Sequence, residues 1–209
     1  MTSNNEEMCS ETEVEENEHG GVVGAISSTD DHIPRKMTIW DKIDSDVSRS
    51  AIQFLIQLAT EDPTAPIEIW INSPGGAFLE TVAIYDILQY IPCPIYTIGI
   101  GEIASAATLL LAAGDEGHRS IFPNTRFMMH QLAYKSSGTV TDMELLQREV
   151  KQMQDLFANL ISRHTHMTIE QIKEIFRTNK DKYLSPNEVL ERGFADYIRG
   201  CHESSSDNT

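Results

Sequence analysis

Three cysteines in 209 residues, Cys9, Cys93 and Cys201, are too few and too widely spaced for a disulfide framework or the paired ligands of a structural zinc site. A reducing, cytoplasmic setting is the simplest reading, and no metal or other cofactor is expected. Long hydrophobic runs are also missing: no stretch approaches the ~20 apolar residues of a membrane helix, and the acidic N-terminus carries no apolar signal segment. Basic residues are scarce, 16 Lys and Arg against 32 Asp and Glu, for a formal net charge of −16. Phosphate backbones and anionic lipid surfaces are therefore poor partners, which sets aside nucleic-acid binding and membrane association. Residues 1–34 hold nine of the acidic side chains and neither Lys nor Arg, leaving −7 for the remainder. With almost no aromatics, that segment cannot offset its ordering entropy by burial and is expected to be a disordered acidic tail. Residues 201–209 read the same way. The intervening 35–200 is long enough for one domain with a substantial core.

Within that domain the pattern alternates between strand and helix. A short strand is expected at Arg35 to Trp40, then a helix with Val47, Ala51, Phe54, Leu55 and Leu58 at 3.6-residue spacing. Ile67 to Ile71 alternates like a strand and enters the turn Asn72-Ser73-Pro74-Gly75-Gly76. A helix over about 78–91 stops at Pro92; a core strand from Pro94 to Ile100 follows, and then a helix opening at Ser105. Two short strands are expected near Arg119 to Phe122 and Arg126 to His130. The longest helix should run from a capping box at Thr141-Asp142-Met143-Glu144 to His164, about 35 Å at 1.5 Å per residue. Its apolar stripe is Leu146, Val150, Met153, Phe157 and Leu160. A helix that long in a small domain should project and bury its stripe against a neighbouring subunit. Thr168 to Gln171 and Ser185 to Glu188 are two further capping boxes, and Phe194 to Ile198 reads as the last strand. The β-α-β alternation implies right-handed crossovers and a largely parallel sheet, an α/β fold.

Three side chains could act together. Ser105 follows a core strand at a helix start, His130 ends a strand and Asp181 precedes the Ser185 cap. Serine, imidazole and carboxylate can serve as nucleophile, general base and orienting anion on unrelated folds. Each also has a plain structural reading: Ser105 as close packing of helix on sheet, His130 as a strand-end ring bonded to backbone, Asp181 as one solvated charge among Asn179, Lys180 and Lys182.

The blocks Asn72-Ser73-Pro74-Gly75-Gly76, Ala83-Ile84-Tyr85-Asp86, Gly101-x-x-Ala104-Ser105, Leu111-Ala112-Ala113-Gly114, Pro123-Asn124, Met129-His130-Gln131 and Leu184-Ser185-x-x-Glu188 occur in order between about 35 and 199. Together they resemble the proteolytic subunit of the Clp protease (ClpP). The resemblance implies a crotonase-like spiral of ββα units with a projecting handle helix. It implies a serine endopeptidase forming stacked heptameric rings, served by an AAA+ unfoldase and acting on unfolded polypeptides or peptides. By motif, Ser105 resembles the nucleophile, His130 the base and Asp181 the carboxylate, with the amides of Gly76 and Ala106 as the oxyanion hole.

Departures from the family pattern bear on specificity and partners. The residue after the nucleophile, usually Met, is Ala106, which is expected to alter the adjoining substrate pocket. The span from His130 to Asp181 is about two residues longer than usual, near Phe176 to Asn179. The acidic tail replaces a basic and aromatic segment that feeds the axial pore. At the unfoldase docking site one aromatic is kept as Trp70, while Glu68 stands two residues earlier. The segment after the histidine, usually glycine-rich, reads Leu132-Ala133-Tyr134-Lys135-Ser136-Ser137-Gly138. These leave room for a divergent, phage-borne paralogue that processes specific proteins such as capsid proteins, or for a non-catalytic ring subunit. A crotonase-like acyl-CoA enzyme is a more distant alternative, since the chain is short for it and keeps the serine and histidine.

Overall fold

The computed structural model describes residues 35–135, 137–178 and 180–200. The two terminal tails expected from composition, with Cys9 and Cys201, lie outside the described residues. In chain order the elements are β1 (Lys36–Trp40), α1 (Ser45–Glu61), β2 (Ile67–Ser73), α2 (Phe78–Tyr90), β3 (Ile95–Ala104), α3 (Ala107–Ala112), β4 (Arg119–Ile121), β5 (Arg126–Met129), α4 (Val140–His164), α5 (Ile169–Arg177), β6 (Lys182–Leu184), α6 (Pro186–Glu191) and β7 (Tyr197–Ile198). The strand path is β1-β2-β3-β4-β7, with β5 attached to β3 and β6 to β5. All pairings are parallel except β5 with β6.

Side-chain alternation drives this arrangement. On β2, Ile67, Ile69 and Ile71 are fully buried beneath the helices, while Glu68, Trp70 and Asn72 on the other face are half-buried. The strand β3 serves two neighbours in succession. Thr97 to Gly99 pair with β4, and Glu102 to Ala104 pair with β5. A strand that changes partner part-way along must bend, and β3 does so at Gly101, whose φ is +64°.

Beyond shifts of one or two residues at strand ends, four differences from the sequence reading bear on the site and the packing. The core strand does not stop at Ile100 but runs to Ala104, because the side chain of Asn72 accepts a hydrogen bond from the Glu102 amide at 2.9 Å and carries the pairing past the bend. Ser105 is consequently not a helical residue; α3 begins at Ala107 and spans six buried residues. The capping box of α4 sits two residues earlier than expected, with Thr139 as N-cap and Asp142 returning the hydrogen bond. The closing strand shrinks to Tyr197–Ile198 because Phe194 and Ala195 turn into the core and Asp196 into an ion pair.

That ion pair anchors a polar network under the sheet. The buried Arg119 donates to the Asp196 carboxylate through Nε and Nη2 and to the carbonyl of His164 through Nη1. Burial pushes the Asp196 pKa up, but the hydrogen bonds and charge of Arg119 outweigh it and hold the carboxyl below its ordinary value. The His164 ring meets the Tyr85 hydroxyl at 2.9 Å. Burial first, then the charges of Arg119 and Arg163, lower the His164 pKa from 6.5. From that value downward the unfolded chain takes up a proton that the folded ring resists, so unfolding is favoured as pH falls. Stability should therefore hold above about pH 6.5 and decline as pH drops through it. Thermal melts across this range should show the decline, and His164→Gln should flatten it; an unchanged slope would assign the acid sensitivity to other groups.

The helix α4 has two characters. Its C-terminal half buries Phe157, Ala158, Leu160 and Ile161 against the domain, where Phe157 stacks on Phe176 of α5 and meets the edge of Phe78 of α2. Its N-terminal half leaves Val140, Met143 and Leu145 at least half exposed.

Candidate active site

The strands β3 and β5 deliver the candidate serine and histidine to one place. Ser105 continues the ladder past Ala104, its amide donating to the carbonyl of Met128 at 2.9 Å. Two residues on, His130 leaves β5, and its Nε2 lies 2.7 Å from Ser105 Oγ. Ser105 holds φ at +54°, an uncommon conformation for a residue with a Cβ, and such outliers persist only where the surroundings over-determine them. The turn presents the hydroxyl at the head of α3 while the carbonyl of Ser105 accepts from the Thr108 amide and hydroxyl. With only six residues, α3 offers little dipole assistance, so local amides carry the electrostatics.

Asp181 reaches the pair through a strand that sequence patterning missed. The strand β6 pairs antiparallel with β5, Met129 opposite Lys182, so the positions just beyond, His130 and Asp181, fall beside one another. His130 Nδ1 and Asp181 Oδ1 are 3.9 Å apart, with the Asp181 side chain 53% exposed against 27% for the imidazole. This is ion-pair distance, about one ångström longer than a hydrogen bond. Contacts of this kind commonly tighten only when substrate is bound.

Of the two candidate oxyanion donors, Gly76 sits on the loop after β2 and Ala106 in the turn between β3 and α3. Ile43 forms a parallel bridge with Gly76, its amide donating to the Gly75 carbonyl and its carbonyl accepting from Ala77. The amide of Gly76 therefore points away from Ile43, on the side where Gly76 lines a cleft. A side chain on Gly75, where φ is +87°, would lie within 3 Å of the Ala104 carbonyl, Ser105 Cβ and the Ala106 nitrogen. The loop is thus pressed directly against the nucleophile's turn. Among the described residues neither the Gly76 nor the Ala106 amide has a hydrogen-bond acceptor within the chain. The methyl of Ala106 is fully buried, and the cleft lining does not include it.

The cleft has a volume of about 660 Å³ and contains Ser105 and His130. Its walls are largely apolar, formed by Phe78 and Leu79 of α2, Leu132 and Tyr134 after β5, and Val150 and Met153 of α4. The middle of the long helix is thus a wall of the site. No group of three or more His, Cys, Asp or Glu side chains able to hold a metal occurs among the described residues, and no helix there is long and apolar enough to cross a membrane.

A family model described as Clp protease matches residues 30–201. The chain belongs to the Clp protease family. It is 36% identical over 164 residues to an ATP-dependent Clp protease proteolytic subunit 2 of Thermobifida fusca, covering 78% of this chain and 80% of that one. It is 38% identical over 158 residues, 75% of each chain, to an ATP-dependent Clp protease proteolytic subunit 1 of Corynebacterium glutamicum. A proteolytic subunit 2 of Corynebacterium jeikeium is 36% identical over 168 residues, 80% of this chain and 79% of that one. The mostly parallel α/β architecture is that of the Clp proteolytic subunit, and the chain is a Clp-type serine peptidase.

Proposed function

We propose that this chain is the proteolytic subunit of a compartmentalised Clp-type protease in which Ser105 is the nucleophile, His130 the base and Asp181 the orienting carboxylate. The observation that carries the reading is the 2.7 Å contact between His130 Nε2 and Ser105 Oγ at the floor of an apolar cleft. In the reaction His130 Nε2 takes the hydroxyl proton while Oγ bonds to the peptide carbonyl carbon. The resulting oxyanion accepts hydrogen bonds from the amides of Gly76 and Ala106. His130 then gives its proton to the departing amide nitrogen as the C–N bond breaks, leaving an acyl-enzyme. Water, deprotonated by His130, releases the acid. Asp181 favours the imidazolium through its charge. A non-catalytic ring subunit has no need of a serine held in a strained turn within hydrogen-bonding reach of an imidazole. A processing role for a divergent paralogue would use the same chemistry on fewer substrates.

The proposal extends to assembly and partner. The chain acts as a homo-oligomer of stacked rings, taken as heptameric, in the cytoplasm, on peptides admitted directly and on proteins delivered by an AAA+ unfoldase. Around Trp70 the docking face is partly charged: the Glu68 carboxylate accepts from the indole N–H at 3.2 Å and lies 3.3 Å from Lys36 Nζ. An apolar docking loop must displace water from that pair, which weakens its anchoring. Short peptides should be cleaved without ATP, stimulation by a standard unfoldase on a tagged folded substrate should be weak, and Glu68→Tyr should strengthen it. Absence of peptide hydrolysis would overturn the peptidase reading; full stimulation untouched by Glu68→Tyr would overturn the account of the docking face.

A further inference from the structure

The Asn72-Ser73-Pro74-Gly75-Gly76 turn contributes one amide to the proposed chemistry, yet two of its other side chains make specific buried or half-buried contacts. Ser73 is fully buried. Its hydroxyl donates to the Asp41 carbonyl at 2.6 Å and accepts from the Gly75 amide at 3.0 Å. That bond engages the Gly75 N–H and leaves Gly76 as the loop amide free for a ligand. It also ties the loop to Asp41, which takes the uncommon φ of +61° and whose own amide donates to the Asn72 carbonyl. The loop is therefore held on both sides, by Ile43 along its edge and by Ser73 from beneath.

Asn72 braces the other half of the site. Between Ile71 and Ser73 the register of β2 against β3 jumps: Ile71 is opposite Gly99, but Ser73 is opposite Ile103. The surplus residues of β3 bulge outward, and the Asn72 amide oxygen fills the gap by accepting the Glu102 N–H. A side chain on Gly101 would fall 2.6 Å from that same oxygen, which explains the glycine. This bulge sets where Glu102 to Ala104 meet β5, and hence that Ser105 lies against Met128 and within reach of His130.

We propose that Asn72 and Ser73 are positioning residues for peptide hydrolysis: Asn72 fixes the register that brings Ser105 to His130, and Ser73 fixes the loop that aims the Gly76 amide at the oxyanion. Neither touches the substrate. The inference rests on the peptidase reading above.

The test uses the full-length oligomer, with kcat and KM for a fluorogenic peptide and Ki for a peptide aldehyde of the same sequence; KM and Ki do not depend on the folded fraction, and kcat is taken per folded protein from each variant's melt. Ser105 Oγ adds to the aldehyde carbon, its proton passes to the oxygen side through His130, and the hemiacetal oxygen occupies the oxyanion site. Ser73→Ala is expected to raise the aldehyde Ki and lower kcat by about 10-fold to 100-fold, with KM changed less than about twofold. Asn72→Ala should lower kcat comparably, and Asn72→Asp, which keeps the acceptor for Glu102, should recover most of it. If Ser73→Ala cannot be isolated folded, Ser73→Cys, whose thiol fills the site but is a poor acceptor for the Gly75 amide, takes its place with the same expected rise in Ki. An unchanged aldehyde Ki and kcat in Ser73→Ala, or an equal loss in both Asn72 variants, would overturn the positioning roles. Failure of the unaltered protein to bind the aldehyde at all would instead overturn the peptidase reading.

Discussion

Replacing Ser105 with alanine is expected to lower kcat/KM for peptide hydrolysis by about 10³-fold or more, equivalent to at least ~4 kcal/mol of transition-state stabilisation. What survives is the contribution of the oxyanion amides and the cleft, which bind the substrate without attacking it. His130→Ala should fall by a similar factor, because Ser105 Oγ at 2.7 Å from the ring is a weak nucleophile unless its proton has somewhere to go. The double variant should be no worse than either single one, since the two side chains act as a unit. Asp181→Asn should cost less, on the order of 10²-fold, because the carboxylate is half exposed and 3.9 Å from the ring, where solvent screens part of its effect. Steady-state kinetics on a fluorogenic peptide, with each variant's folding checked by its melt, reads all four. Near-normal rates in Ser105→Ala would reject the nucleophile.

The second large effect concerns assembly. The unaltered protein is expected to sediment as a high-order oligomer, and Met143→Glu with Leu145→Glu to break it into smaller species with little peptidase activity. The reason lies in the two halves of α4. Leu145 is 55% exposed and Val140 76% exposed in the isolated chain, and burying such side chains against a second subunit is worth roughly 1.5–3 kcal/mol each. Phe157, which periodicity places in one stripe with Leu146, Val150, Met153 and Leu160 for burial against a neighbour, is instead buried within its own domain against Phe176 and Phe78, as is Leu160. Phe157→Ala should therefore lower the melting temperature rather than dissociate the particle, at a cost of about 3–5 kcal/mol. Loss of assembly affects chemistry as well, because Val150 and Met153 of the same helix form one wall of the cleft. Sedimentation velocity at micromolar concentration distinguishes the cases, and a monomeric unaltered protein would refute the assembly.

Much of this fold is written in local patterns. The alternation in Ile67 to Ile71 and the capping boxes at Thr168 and Ser185 are short-range signals, and they appear where periodicity and capping chemistry put them. Motif resemblance named Ser105, His130, Asp181, Gly76 and Ala106, but spacing alone carried no information on whether they meet. That depends on long-range register: the bulge in β3 opposite Asn72, and β6 lying antiparallel on β5. A three-residue strand such as Lys182–Leu184, with only Leu184 buried, has no periodicity to detect. The helix α5 runs on far enough to bury Phe176 against Phe157 before the chain returns to β5. At α4 the cap was misread because Thr139 and Thr141 both begin plausible boxes. The side chain of Asp142 selects Thr139, accepting from its amide and its hydroxyl.

The most direct test of the central claim is to incubate the unaltered protein with a fluorophosphonate and locate the adduct by peptide mass mapping. Phosphonylation requires a serine oxygen activated by a neighbouring base, with amides ready to receive the phosphonyl oxygen, so it reports the proposed site as a working unit. The account predicts a single adduct on Ser105, abolished in Ser105→Ala and slowed strongly in His130→Ala. An adduct on another serine, or equal labelling of Ser105→Ala, would contradict it.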